Sequence, residues 1–294
     1  MNRSSRRALP VAVLLALVAG CGGAWGAGQP GGGTGPPPPG QAYLDNPGFE
    51  RVVADSDGTA DPEAWDVTEG ETVQGTGHVI REMPELVQVV GREGAIEPYE
   101  GQRMLKVDAR LLLKSSVRQY YRRPVESGTL VQQLAVRPAQ SGEYVQQIEI
   151  RGTPDFREVE GKQLFHLRWT DEGLLLSVHT GSPGFRGQFG YWRTFPPLPR
   201  SRWSLFRITL TRAAPTRDNE GRTVSQWRLR VELNGTLLFD TERDGVYSQY
   251  IRSADFVFIG DETMSGTPKK LNPTGTGDGI GIVYYDLAVA RALP

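Results

Sequence analysis

From Phe206 to Asp240 the chain runs in period two. Phe206, Ile208 and Leu210 alternate with Arg207, Thr209 and Thr211, and Trp227, Leu229, Val231 and Leu233 alternate with Arg228, Arg230 and Glu232. Successive side chains of an extended strand point to opposite faces, so this alternation predicts strands with one face buried and the other in water. Asn234-Gly235 then supplies the two positive-φ residues of a tight hairpin before Thr236 to Asp240. Similar strand candidates are Gln102 to Ala109, Ser115 to Tyr121, Gly128 to Val136, Tyr144 to Arg151, Gln163 to Thr170, Leu174 to His179, Asp255 to Ile259 and Ile280 to Ala290. The best helical candidate, Glu82 to Val90, is short and carries Pro84 near its start. With 36 Gly and 21 Pro, turn signals recur at short intervals. About ten strands with no interleaved helices predict an all-β fold, a two-sheet antiparallel jelly-roll sandwich.

The first forty residues follow other rules. Arg3, Arg6 and Arg7 precede an apolar run from Ala8 to Ala19 that is too short to span a bilayer, which needs about 20 residues. Leu17-Val18-Ala19-Gly20-Cys21 resembles the bacterial lipobox, which implies export, cleavage before Cys21 and lipid on that cysteine. Residues 1–20 are thus expected to be a lipoprotein signal peptide. Residues 21–40, almost wholly Gly, Pro, Ala and Gln, cannot bury a core and read as a tether behind the lipidated cysteine. Residues 41–294 are expected to form a single sandwich domain. As Cys21 is the only cysteine, that domain must be stabilised by its core without an internal disulfide. The expected location is the bacterial cell envelope, lipid-anchored at the outer membrane or cell surface.

Acidic and basic residues balance, 34 against 33, so no global field favours nucleic acid as a partner. A glycan or a cell-envelope protein is the expected partner.

Several pieces of the C-terminal half, Trp203-Ser204-Leu205-Phe206, Leu229 to Leu237, Phe258-Ile259-Gly260-Asp261 and Val283-Tyr284-Tyr285-Asp286-Leu287, resemble in order the concanavalin A-like lectin and glucanase superfamily, including its laminin-G-like members. Asn46-Pro47-Gly48-Phe49-Glu50 is similar to the start of β-sandwich carbohydrate-binding modules. The resemblance implies the jelly-roll and a carbohydrate ligand. The compact acidic motif of the glucanases, which a retaining mechanism requires because its two carboxyl groups lie about 5 Å apart, is not found. Gln147-Ile148-Glu149 resembles a Gln-Ile-His triplet of alginate-lyase-type jelly-rolls, with glutamate where histidine should stand. Lyase chemistry would call on Arg118, Tyr120, Gln147, His166 and Tyr247 as acid, base and donors. The strand face bearing Arg118, Gln147, Glu149 and Arg151 is equally a candidate ligand surface. A lone strand carboxylate such as Glu149 beside an arginine also fits a cross-strand ion pair.

No histidine pair sits at metal-ligand spacing. Aromatic residues crowd Phe185 to Trp203, read as a loop, and sugar rings stack on such side chains. Tyr191 and Trp192 are the candidates; extended, they point opposite ways, which leaves one of them available to the core. Finally, Glu50 on the first strand and Asp286 on the last are candidate ligands of a structural calcium ion, with backbone carbonyls completing its shell. A noncatalytic carbohydrate-binding or adhesion module fits this pattern first. A structural lipoprotein docking an envelope protein comes second, and a divergent polysaccharide lyase or glycosidase third.

Overall fold

The computed structural model describes residues 42–54, 59–72, 79–108, 113–139, 146–156, 162–170, 173–181, 189–200, 202–261 and 281–293. Cys21 and the signal and tether segments lie outside them, as does Phe185.

In chain order the strands are β1 (Val52–Ala54), β2 (Ala60–Pro62), β3 (Asp66–Thr72), β4 (Val79–Arg81), β5 (Val87–Val90), β6 (Met104–Asp108), β7 (Leu113–Val125), β8 (Thr129–Pro138) and β9 (Gln146–Gly152). There follow β10 (Lys162–Trp169), β11 (Leu174–His179), β12 (Phe189–Phe195), β13 (Ser204–Arg217), β14 (Thr223–Leu233), β15 (Thr236–Asp240), β16 (Ser248–Gln249), β17 (Ala254–Asp261) and β18 (Ile282–Leu293). They make two large antiparallel sheets, with β1 and β2 paired as a separate two-stranded ribbon. One runs β12-β11-β10-β9-β17-β7-β3-β4, the other β15-β14-β13-β8-β18-β6-β5 with β16 beside β14. Neighbours in sequence, such as β6, β7, β8 and β9, alternate between sheets, which is the jelly-roll arrangement.

Period two does its expected work here. In β9, Ile148 and Ile150 face the space between the sheets; in β10, Phe165, Leu167 and Trp169 do; from the other sheet come Phe206, Ile208 and Leu210. The Trp169 ring stacks on Phe206 at 5.7 Å and meets Tyr285 at 6.0 Å, tying the sheets together. The hairpin forms as expected, Asn234 and Gly235 taking φ of 50° and 78°.

Two expectations are corrected. Glu82 to Val90 is no helix: Pro84–Leu86 form a single 3-10 turn and Val87 to Val90 pair with β6. The aromatic segment is not wholly a loop either, because Phe189–Phe195 pairs with β11 as an edge strand.

Candidate functional site

The face of the first sheet that points away from the core collects most of the residues singled out above. Paired residues on adjacent antiparallel strands point to the same side, and a single row crosses seven strands: Trp192, Ser177, His166, Glu149, Phe258, Arg118 and Asp66 are successive cross-strand partners. On one flank the next row holds Arg168, Gln147, Gly260 and Ser116. On the other lie Arg151, Phe256 and Tyr120. Thus Arg118, Tyr120, Gln147, Glu149, Arg151, His166 and Trp192, from four strands, share one face.

Tyr191 does not. It pairs with the core residue Val178, and its ring packs 5.3 Å from Phe239 of the other sheet. Strand parity settles which of the two aromatics is core: Tyr191 faces inward and Trp192 outward. Tyr247 is also not brought to the row. Gly245 caps the short helix Thr241–Asp244, and Tyr247 leads into β16, which pairs with β14 of the second sheet.

Glu149 is fully buried and organises the floor of this face. Its Oε1 accepts from Gln147 Nε2 at 2.8 Å and from Gln163 Nε2 at 2.6 Å, and its Oε2 accepts from Arg151 Nε. With its amide nitrogen held by Glu149, Gln147 turns its Oε1 to Arg168, whose Nε and Nη2 both lie at 3.4 Å. The Arg151 guanidinium also lies over the Phe258 ring, 5.0 Å from its centroid. His166 sits among these cations. Burial first, then the charges of Arg168 and Arg151, lower its pKa to about 3, so the ring is neutral at neutral pH.

Two aromatic groups flank the polar floor. Trp192 is 57% exposed, and its ring meets His166 edge-on at 6.5 Å. On the far side Tyr120, 44% exposed, packs at 4.9 Å against Phe256, with Arg118 over its ring and paired to Asp66. Phe256, Phe258, Gln163, Arg168 and Ser177 were not foreseen as members of this face. For the first two the signal was present: Phe256-Val257-Phe258-Ile259 is apolar at every position, the mark of a strand covered on both faces.

The chemistry this face can perform follows from its carboxylates. Among the described residues of its strands, Glu149 and Asp66 point outward, three strand spacings apart, or about 14 Å. Glycoside hydrolysis places its two carboxyl groups at about 5–9.5 Å. His166, with a pKa near 3, is a weak base at neutral pH for proton abstraction.

Glu50 and Asp286 form a second locus. Both hold the loop before β6: Glu50 Oε1 accepts from the backbone of Gln102 at 2.7 Å and Arg103 at 3.1 Å, and Asp286 Oδ2 from that of Glu100 at 2.9 Å. Asp286 Oδ1 accepts from Leu287 N at 2.6 Å. Both carboxylates flank Gly48, where an added Cβ would stand 3.8 Å from Glu50 Cγ and 3.9 Å from Asp286 Oδ1. The neighbours Phe49 and Leu287 take left-handed φ of 56° and 53°, costly for such residues. Burial, with a contribution from the Glu50 charge, raises the Asp286 pKa to about 6.

No protein-family model matches the chain, and no curated protein sequence matches it. Among solved structures it is similar to an endo-β-1,4-glucuronan lyase from the fungus Trichoderma reesei, with 14% identity, covering 86% of this chain and 94% of that one, TM-score 0.43. It is similar also to a mixed-linkage-glucan enzyme of glycoside hydrolase family 16 from Bacteroides ovatus (10% identity, 81% and 98% covered, TM-score 0.47). A third is the carbohydrate recognition domain of Emp47p (9%, 82% and 99%, TM-score 0.39). At such identities and TM-scores the likeness says nothing of function, and what the face binds has to be read from its own residues.

Proposed function

We propose that this protein is a noncatalytic carbohydrate-binding module, carried on a bacterial envelope by lipid at Cys21, and that the outer face of the first sheet takes the glycan. The observation that carries the reading is the row itself. Exposed aromatic rings stand on both sides of a floor of buried, hydrogen-bonding groups, the arrangement that suits a sugar, whose ring faces are apolar and whose rim is hydroxylic. The floor donors and acceptors are locked by Glu149, so little side-chain entropy is lost on binding. Against catalysis stand the wide separation of the two outward carboxylates and the low basicity of His166.

The test is binding of the full chain to glucuronan, alginate and mixed-linkage β-glucan, two acidic polysaccharides and a neutral one. Trp192→Ala is expected to weaken the interaction by about 1–3 kcal/mol, the range of aromatic stacking on a planar ligand. Accumulation of unsaturated or reducing-end product would replace the binding reading with an enzymatic one.

We also propose a structural calcium ion at Glu50 and Asp286. A buried carboxylate whose ionised form is penalised, beside a second carboxylate, is a donor set that a hard cation relieves, and the fit is supported by the left-handed residues flanking both. When bound, the ion would neutralise both acids and pin the first turn, the loop before β6 and the last strand together.

A further inference from the structure

Trp192 and His166 stand two strands apart, on β12 and β10, with Ser177 of β11 as the cross-strand partner of both. Two strand spacings amount to about 10 Å. The ring centroids nevertheless lie 6.5 Å apart, with an interplanar angle of 77°. The two rings therefore lean towards each other across Ser177. Beneath them Ser177 is fully buried, and its Oγ has no hydrogen-bond partner among the described residues. A serine on the outward face of a sheet ordinarily finds water; a buried hydroxyl left without a partner is uncommon and calls for a reason. The indole itself is well exposed, and β12 ends the strand order of its sheet, so no further strand of the order flanks Trp192.

We propose that Trp192 is a movable roof over a sugar-hydroxyl subsite. A sugar ring entering from the β12 edge swings the indole off His166 and stacks on it, and the uncovered Ser177 Oγ hydrogen-bonds a hydroxyl of that sugar. His166 is then a positioning residue: its ring parks the indole over Ser177 in the free protein. The exchange is favourable because the edge-on ring contact given up is replaced by stacking, while a hydroxyl without a partner acquires one. The inference rests on the glycan reading of this face and deepens it by assigning the hydroxyl-binding group.

The experiment compares wild type, Ser177→Ala and Trp192→Ala, all as full chains, by calorimetric titration with glucuronan, alginate and mixed-linkage β-glucan oligosaccharides and by thermal melting. Ser177→Ala deletes a hydroxyl that has no partner among the described residues, so its melting point is expected to hold or rise. Its affinity is expected to fall about five- to tenfold through the lost sugar contact. A merely structural serine would not produce that opposition. Loss of binding in Trp192→Ala with wild-type affinity in Ser177→Ala overturns the roof and leaves the glycan reading intact, as does a fall in melting point alongside affinity in Ser177→Ala. Absence of binding to all three oligosaccharides overturns both.

Discussion

His166 makes the folded protein sensitive to acid, by an amount that can be worked out. Its pKa is lowered from 6.5 to about 3 by burial and by Arg168 and Arg151. Above pH 6.5 neither the folded nor the unfolded chain protonates this ring, so its contribution is fully present there. As the pH falls from 6.5 towards 3, the unfolded chain binds a proton that the folded one refuses, and stability is lost at about 1.4 kcal/mol per pH unit. At about pH 4.5 the loss is about 2–3 kcal/mol, a large part of the margin of an ordinary domain. His166→Gln removes the titration while keeping a polar side chain. Its own cost of packing does not depend on pH, so the difference in slope isolates the imidazole. The assay is urea denaturation of wild type and variant at about pH 7 and about pH 4.5, with His179→Gln as companion because burial also lowers the His179 pKa. The variant should lose about 2–3 kcal/mol less than wild type between the two pH values. Parallel curves for wild type and His166→Gln would refute the claim that the ring is held neutral between two guanidinium groups.

Three further outcomes are expected. Glu149→Gln leaves Arg151 without its carboxylate in a buried setting and should cost about 3 kcal/mol in chemical denaturation, whereas Glu97→Gln, which breaks the exposed pair with Arg92, should cost under about 1 kcal/mol. Calcium should raise the melting midpoint and a chelator lower it, through ligation of the folded form only, and Glu50→Gln should abolish that response; a midpoint indifferent to both additions removes the ion. Cys21→Ala should leave the detergent phase and lose the mass of its acyl chains, and unchanged partitioning would mean that lipid at Cys21 is not the anchor.

Much of the sandwich was legible because burial on one face writes itself into alternate residues. Phe206 to Leu210 and Trp227 to Leu233 fell in strands as expected, and Asn234-Gly235 in its hairpin. Where both faces share a character the signal vanishes. Strand β13 runs on to Arg217 through residues half-buried or exposed on both sides, past the end of its alternation, and β12 carries aromatic residues on both faces among Gly190 and Arg193, which reads as a loop. The site was legible by halves. Parity along one strand puts Gln147, Glu149 and Arg151 together, since that is local. It cannot say that β17 lies between β9 and β7, and so it could not bring Phe258 between Glu149 and Arg118. Ser177 was invisible for a related reason: a small polar residue is unremarkable until side chains from strands on either side close over it.

The same non-local order bears on the proposal that this face binds a glycan rather than reacting with one. A catalytic carboxyl or imidazole must change protonation state during turnover, so its surroundings have to tolerate both states. His166 is held in one, because it is buried beside two guanidinium groups that favour the neutral ring, while Glu149 is held in place by two amide donors and a guanidinium. Such a floor resists proton transfer and, by the same interactions, keeps its donors and acceptors in place for a ligand. Movement is left to the rim, where Trp192 at the sheet edge and Tyr120 across the face are exposed enough to adjust to a sugar ring. A rigid charged floor under adaptable aromatic edges divides the work between orientation and capture, and that division suits the proposed glycan site.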